Sequence, residues 1–527
     1  MKKAIVTIII LALSINILFS QRWEIIYGEP GTDESFTHMI NTYDKGFLLS
    51  TYQEIPQANR IIKTDINGNF LWDKQLLWNN AFIYSGHIDQ NNKGEMIIAG
   101  GIHYEGLYLY WPMMVKLDSC GNREWCRVFP QPDYDYGIYN DVLALENGDF
   151  IAIGYFTGPV GYPDELYMDY VSADGDLVWR KAYASKADYP LIHAADGEGL
   201  FEHDDDYYIY GSCYWPYPDN PSHVFLRPMM VKIDSMFNEE WMIPFGVSDS
   251  LHGLARDMIN LNDTLFVAAG YAYDGNLIVP LLAYFDQNGN EIGFTKLSND
   301  SLGTGFTDAG IDVIEKINDS LFIVLADWGN QNEWYGGKFI TDTMGNISNI
   351  MQNTYEAGRK EILRTGENEY VVGTGLIEGR IDWDVLLYKM DRDFNSLPYD
   401  TGSYTYDSLC PYQITSDTID LSDCMIVVNT EEVPTPEQYY ASLDLIPIIA
   451  APNPATDKVV FSLKNTKHHN NMQLICFDAF GRKIHEQKIY PRQLESHVDV
   501  STWKSGMYVA VVKSDGKVVG KEKVVVW

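Results

Sequence analysis

Asp65, Asn67 and Asn69 stand around Gly68 in KTDINGNFLW (residues 63–72), and their side-chain oxygens are of the type that holds a hard cation. An EF-hand-type loop needs its glycine at the sixth position and a distal bidentate glutamate. Here Gly68 is the fourth residue counted from Asp65, and no glutamate follows at the required spacing. The run therefore reads as a turn: Asp65 caps it through its side chain, Gly68 or Asn69 takes the left-handed conformation, and Trp72 opens the next strand. No metal and no cofactor are called for, a structural calcium in one copy of the turn being the alternative.

Two other acidic runs, His203-Asp204-Asp205-Asp206 and Asp133-Tyr134-Asp135-Tyr136, carry groups suited to a cation site or to the carboxylate pair of a glycosidase. Each falls where a connection between strands is expected, so both are read as solvated turns. There is no zinc-protease, serine-hydrolase or phosphate-loop signature, and the histidines are scattered except for His468-His469. No catalytic residue is assigned from the sequence.

The opening turn recurs as KLDSCGNREW (116–125), VSADGDLVW (171–179), KIDSMFNEEW (232–241), YFDQNGNEIG (284–293), ITDTMGNISN (340–349) and KMDRDFNSLP (389–398). Between copies comes a turn followed by a short apolar run with glycine at or near its end, as in KGFLLSTY from Lys45 and NGDFIAIGYF from Asn147, which reads as a buried strand. A further short segment precedes each, such as FTHMINTYD at Phe36 or LARDMINLND at Leu254, so every period holds four strands. Four strands at a period near fifty residues signify a β-propeller. The seven copies predict an all-β chain with seven four-stranded blades over residues 21–400. WEIIYG (23–28) resembles the segments that begin at Trp72, Trp125 and Trp179 but has no turn before it. It is expected to pair with the blade ending near Asp391 and so latch the ring.

Long ring-rich connections within the repeats bring Tyr108, Trp111, Tyr162, Trp215, Tyr217, Trp334 and Tyr335 to one expected face. Such rings offer flat stacking surfaces with polar tips, suited to sugars or protein partners, and packing between blades is the competing use. The repeated text resembles a bacterial propeller repeat of the form D-G-G-Y-V-V-A-G-Y, then L-V-K-T-D-x-x-G-N-x-x-W, over residues 23–400. Later copies depart from it, with Phe237 and Phe394 at the turn glycine.

After Asp400 the pattern stops. Residues 401–446 read as an extension that packs on the last blade and then becomes a Pro-containing acidic linker, and residues 447–527 as a small β-sandwich of short alternating strands. In order, the C-terminal segment carries Pro452-Asn453-Pro454, Asp478 with Gly481-Arg482, Gly506-Met507-Tyr508 and a closing strand from Lys521 to Val526. On these residues it closely resembles the type A C-terminal sorting domain of the Bacteroidetes type IX secretion system. It implies export to the periplasm, recognition by the outer-membrane translocon, and removal of the domain by a sortase-like enzyme, leaving the cargo on the cell surface or released.

Export agrees with the rest of the chain. MKKAIVTIIILALSINILFS places two lysines before a short apolar run and a small residue, so residues 1–20 read as a secretory signal peptide. Disulfides are then chemically reasonable, and two pairs are expected by proximity: Cys120 with Cys126 across a hairpin, and Cys410 with Cys424 around a short loop. The net charge of −35 argues against nucleic acid as a partner. The sequence thus points to an exported, non-catalytic binding protein for glycan or protein, with a polysaccharide hydrolase or lyase as the alternative.

Overall fold

The computed structural model describes residues 23–427 and 448–527, apart from residue 30 and the stretches 55–56, 79–80, 105–108, 132–135, 158–162, 186–193, 218–219, 247–250, 263, 298–307, 331–332, 354–355, 377–382, 464–470, 479–481, 491–492 and 515–516. The expected signal peptide, most of the linker, Tyr108, Tyr162 and Gly481 lie outside the described residues. The chain divides into two compact units, Met1–Val433 and Pro434–Trp527. Every regular element among the described residues is a strand.

In the first unit the strands group by fours in chain order. Glu34–Asn41, Phe47–Gln53, Ala58–Thr64 and Phe70–Leu77 form one antiparallel sheet. Two further groups, Ala81–Gln90 to Arg123–Val128 and Tyr136–Ala144 to Leu177–Tyr183, are joined into one sheet by a parallel pairing of Tyr136 with Tyr110. Separate four-stranded sheets follow from Ala194–His203 to Glu239–Pro244, from Gly253–Asn262 to Glu291–Lys296, and from Asp308–Asn318 to Ile347–Asn353. Glu356–Gly366, Glu369–Leu376 and Asp384–Met390 are completed by Glu24–Tyr27 from the chain's start, with Glu24 opposite Tyr388.

The burial pattern explains the grouping. Second strands such as Phe47–Gln53 are buried on both faces, whereas the outer strand Phe70–Leu77 alternates. The apolar clusters lie between successive sheets: Val267, Ala269 and Leu282 pack with Ile311, Val324 and Phe339, and Ile323 and Ile340 pack with Val372 and Tyr370. The series closes on itself, because Trp23, Val371, Val385 and Leu387 share one cluster with Phe36, Phe47 and Ile62 of the first sheet.

The repeated text has a local cause in each copy. The Asp65 carboxylate accepts the Asn67 and Asn69 N–H groups (2.7 and 2.8 Å), and the Gly68 N–H donates to the Asp65 carbonyl at 3.0 Å. Asp118, Asp234, Asp286, Asp342 and Asp391 repeat this arrangement. Phe237 and Phe394 take the same left-handed position as Gly68, with φ of 63° and 66° against 71°, so the turn survives loss of its glycine. The lysine two residues before the turn also has a fixed partner: Lys63 pairs with Asp44, Lys116 with Glu95, Lys232 with Asp206 and Lys389 with Glu369, each acid lying in or beside the hairpin turn between the sheet's first two strands.

The extension corrects two expectations. It packs on the first two sheets: Asp417–Asp420 adds in parallel to Phe70–Leu77, and Met425–Ile426 to Arg123–Val128. The four cysteines are bonded, but Cys120 pairs with Cys410 and Cys126 with Cys424. The physical reason is strand addition: once the extension runs alongside the outer strands, Cys410 and Cys424 arrive against the hairpin that carries Cys120 and Cys126. Ile414 and Leu421 join its apolar core, Asp407 accepts the Trp72 indole N–H at 3.0 Å, and the Lys74 ammonium lies 2.9 Å from Asp417.

In the second unit, Ile448–Ala451, Lys458–Leu463 and Glu495–Asp499 form one antiparallel sheet. Lys483–Lys488, Gln473–Asp478, Gly506–Ser514 and Lys517–Val526 form another. Val459 and Phe461 of the first share a core with Leu474, Cys476, Ala510 and Val512 of the second. Asn453 ties the entering chain to the last strand: its amide donates to the Lys523 carbonyl and accepts the Val525 N–H, both at 2.8 Å. Tyr508 packs against Trp503 with ring centroids 4.7 Å apart and donates to the Lys504 carbonyl, while Met507 is exposed.

Candidate functional site

The first strand of each four-strand group carries a register slip at the same place: Phe36/His38, Tyr84/His87, Tyr139/Asp141, Gly197/Gly199, Ala255/Asp257, Ile311/Val313 and Ala357/Lys360. An extra residue in one strand of a pair re-aims the neighbouring side chains. Here His38, His87, Asp141, Glu198, Arg256, Asp257, Asp312 and Arg359 to Glu361, all at or next to the slips, line one cavity of about 620 Å³ in the first unit.

Side chains at the slips also tie one first strand to the next. The Ile88 N–H donates to His38 Nδ1 at 3.3 Å, the Leu200 N–H to Asp141 Oδ2 at 2.8 Å, and the Ile314 N–H to Asp257 Oδ2 at 2.7 Å. On one side of the cavity the His38 and His87 rings stack with centroids 4.6 Å apart, and His87 Nδ1 lies 3.2 Å from Asp141 Oδ1. Elsewhere the buried Lys360 ammonium contacts Asp312 at 2.9 Å and also Asp327, and Arg256 pairs with Asp312.

These contacts push the acids in opposite directions. Burial, with the Asp312 carboxylate, lifts Asp327 to about 7, and burial lifts Asp257 to about 7 and Glu361 well above the carboxylate range. Asp141 falls below that range, because burial is outweighed by the His87 hydrogen bond, the imidazoles and the Leu200 N–H. Burial, followed by His87, lowers His38 to about 3, and burial, followed by Arg359, lowers His87. Burial also opposes charge on Lys360, but Asp312 and Asp327 outweigh it and raise the ammonium.

The ring-rich residues read from the sequence take other places. Trp111 packs against the core between the first two sheets, and Tyr335 against that of the sheets Gly253–Lys296 and Asp308–Asn353. Trp215 is half-buried with the Arg227 guanidinium 4.9 Å from its ring centre. None of these three lines the cavity. Tyr217 and Trp334 lie on the strands Asp206–Tyr217 and Glu333–Asp342. His203 pairs with Asp206 across a tight turn in which Asp204 and Asp205 are left-handed, so that acidic run is a hairpin tip. Asp478 is opposite Tyr508 in the second unit. The cavity residues were missed, although a polar residue in the middle of an apolar first strand, as in FTHMINTYD and LARDMINLND, is a visible signal.

Residues 450–527 match the family described as Secretion system C-terminal sorting domain. The chain therefore ends in a type IX sorting domain, which implies export to the cell surface or the extracellular space through that machinery. No match is found among curated proteins. Similar solved structures include a protein of unknown function from Dyadobacter fermentans, at 10% identity and a TM-score of 0.40 over 60% of this chain and 97% of that one. Another is the beta-propeller domain of the Trilobed protease from Pyrococcus furiosus, at 10% identity and a TM-score of 0.37 over 70% and 99%. A third is an endo-arabinase from Bacteroides thetaiotaomicron, at 11% identity and a TM-score of 0.28 over 50% and 94%.

Proposed function

We propose that the chain is an exported seven-bladed β-propeller, followed by a β-sandwich sorting domain of the Bacteroidetes type, that binds a hydroxyl-rich ligand such as a glycan in its central cavity. The observation that carries this reading is the mixed lining. Arg256 and Arg359 carry donors, Glu198 and Asp312 carry acceptors, and Tyr210 supplies a ring. Sugar hydroxyls both donate and accept, and a cavity of about 620 Å³ lies within the size range of small-ligand pockets. Arg359 is exposed and lines this space.

A glycan array probed with the full chain tests it, followed by calorimetry on any hit. Arg359→Ala and Glu198→Gln are expected to weaken binding at least tenfold. No hit, or binding unchanged by both, rejects the cavity as the site. The outer-membrane translocon and its sortase are the proposed partners of the second unit: deleting residues 447–527 strands the protein in the periplasm, and normal surface appearance after that deletion rejects this role.

One observation favours hydrolysis or lysis of polysaccharide as a second reading. Asp141 and Asp257 both line this cavity at strand slips, and two carboxyl groups facing one pocket are what a glycosidase uses. Release of reducing ends from a polysaccharide panel, lost in both Asp141→Asn and Asp257→Asn, supports it; no release by the unaltered chain rejects it.

A further inference from the structure

The residues left out of register at the slips differ from one part of the cavity to another. In the first three four-strand groups they include Thr37, Gly86 and Asn140. Their polar groups are spent on the fold: the Thr37 hydroxyl donates to the Ser50 carbonyl at 2.6 Å, and the Asn140 amide to the Gly197 carbonyl at 2.7 Å. In the next four groups they include Glu198, Arg256, Asp312 and Arg359, charges of alternating sign on successive first strands. All four line the cavity.

The middle two of these charges neutralise each other, since Arg256 pairs with Asp312, which also holds Lys360. The outer two are open. Among the described residues Glu198 and Arg359 make no ion pair and no side-chain hydrogen bond. The remaining charged groups of the lining are engaged, as in His87 with Asp141, Asp257 with the Ile314 N–H, Asp327 with Lys360 and Glu361 with His38. Glu198 is half-buried and Arg359 exposed. Burial lowers His87, Arg359 adds to that fall, and Asp141 and Glu198 oppose it, so both open charges act on one stretch of the wall.

Water satisfies such charges until a ligand displaces it. The ligand must then supply partners to an anion and to a cation, and charge-assisted hydrogen bonds are roughly twice as strong as neutral ones. A ligand with carboxylates alone meets a like charge at Glu198, one with amines alone meets a like charge at Arg359, and a neutral one offers neither a counter-charge. Such penalties select as effectively as attractions do. We propose that the cavity selects a zwitterionic saccharide, its carboxylate held by Arg359 and its ammonium by Glu198. The guanidinium fork of Arg359 matches a carboxylate with two parallel donors. The Arg256–Asp312 pair adds no net charge and is left to hydroxyl groups. This inference rests on the reading of the cavity as a glycan site.

The test is calorimetry of the full chain with four tetrasaccharides in mildly acidic buffer, which keeps sugar amines protonated. De-N-acetylated hyaluronan carries both charges, hyaluronan only carboxylates, chitosan only amines, and cellotetraose none. The zwitterion is expected to bind at least tenfold tighter than each of the others. Arg359→Gln should bring it down to the affinity of the amine-only sugar, and Glu198→Gln to that of the carboxylate-only sugar. A merely structural role predicts instead that each variant weakens all four sugars alike, and that result overturns the inference. A neutral or singly charged sugar that binds as tightly as the zwitterion also overturns it, while leaving the glycan reading in place. So does a glycan-array hit accompanied by no binding of these four; no binding in either assay rejects both readings. Where a variant fails to fold, the order of the four sugars on the unaltered chain decides.

Discussion

Cys120 is bonded to Cys410, 290 residues further along the chain, and the neighbouring Cys126 is bonded to Cys424, 298 residues along. The end of the first unit is thereby fixed to its second four-strand group, past the point where Glu24–Tyr27 completes the last sheet. Two independent latches thus span the same junction, one made of hydrogen bonds and one covalent.

The covalent latch closes a loop of several hundred residues, for which chain entropy gives about 5 kcal/mol. The Cys120→Ala, Cys410→Ala, Cys126→Ala, Cys424→Ala variant, which removes both bonds, is expected to lose at least that much in urea unfolding of the first unit. Disulfide mapping of the secreted chain should recover peptides linking residue 120 to 410 and 126 to 424. A peptide internally bridged between residues 120 and 126 refutes the pairing.

Phe237 occupies a left-handed position at φ 63°, where a side chain costs about 1–2 kcal/mol. It persists because the ring is 2% exposed and sits 5.0 Å from Trp179 and 5.1 Å from Tyr207, between two sheets. Truncating a buried phenylalanine costs about 3–5 kcal/mol, so burial outweighs strain. Phe237→Gly is expected to destabilise by about 2 kcal/mol in chemical unfolding, although glycine holds this position in five of the seven turns. A stabilised variant means that the strain dominates.

How much was legible follows from these residues. The turn around Asp65 and Gly68 is local chemistry, repeated often enough to count, and so are the buried strands and the N-terminal strand that completes the last sheet. Cysteine pairing was not legible, since it depends on an extension returning in parallel to strands some three hundred residues earlier. The cavity was hidden for a similar reason. His38, His87 and Asp141 each look like a stray polar residue in an apolar strand, and only the stacking of successive sheets brings them together.

Lys63 is 1% exposed and donates to Asp44 and Thr42, while Asp44 Oδ2 accepts the Asp407 N–H of the extension at 2.8 Å. Removing one member of a buried pair leaves the other charge without compensation, at about 3–5 kcal/mol. Lys63→Met is expected to lose stability in that range. The Lys63→Met, Asp44→Leu double variant should recover much of it, because two apolar groups leave no stranded charge. A double variant as unstable as the sum of its singles shows that the pair does not interact.

Glu315 lies on the strand Asp308–Asn318, where burial, reinforced by the Asp257 carboxylate, raises its pKa from 4.5 to about 7 against the opposing pull of Arg364 and Lys316. The folded chain then binds a proton between pH 4.5 and 7 that the unfolded chain has released, so stability is fully present below about pH 4.5 and lost as pH rises through 7. The Glu315 carboxyl is partly accessible, which brings its share down to about 2 kcal/mol. Asp257 and Asp327, both raised to about 7, add to the same slope. Glu315→Gln is expected to match the unaltered chain at pH 5 and to exceed it by about 2 kcal/mol at pH 8, read from urea midpoints. Equal midpoints at both pH values mean that Glu315 titrates alike in the folded and unfolded chain. A deficit at pH 8 instead identifies its ionised form as a stabilising partner of Arg364.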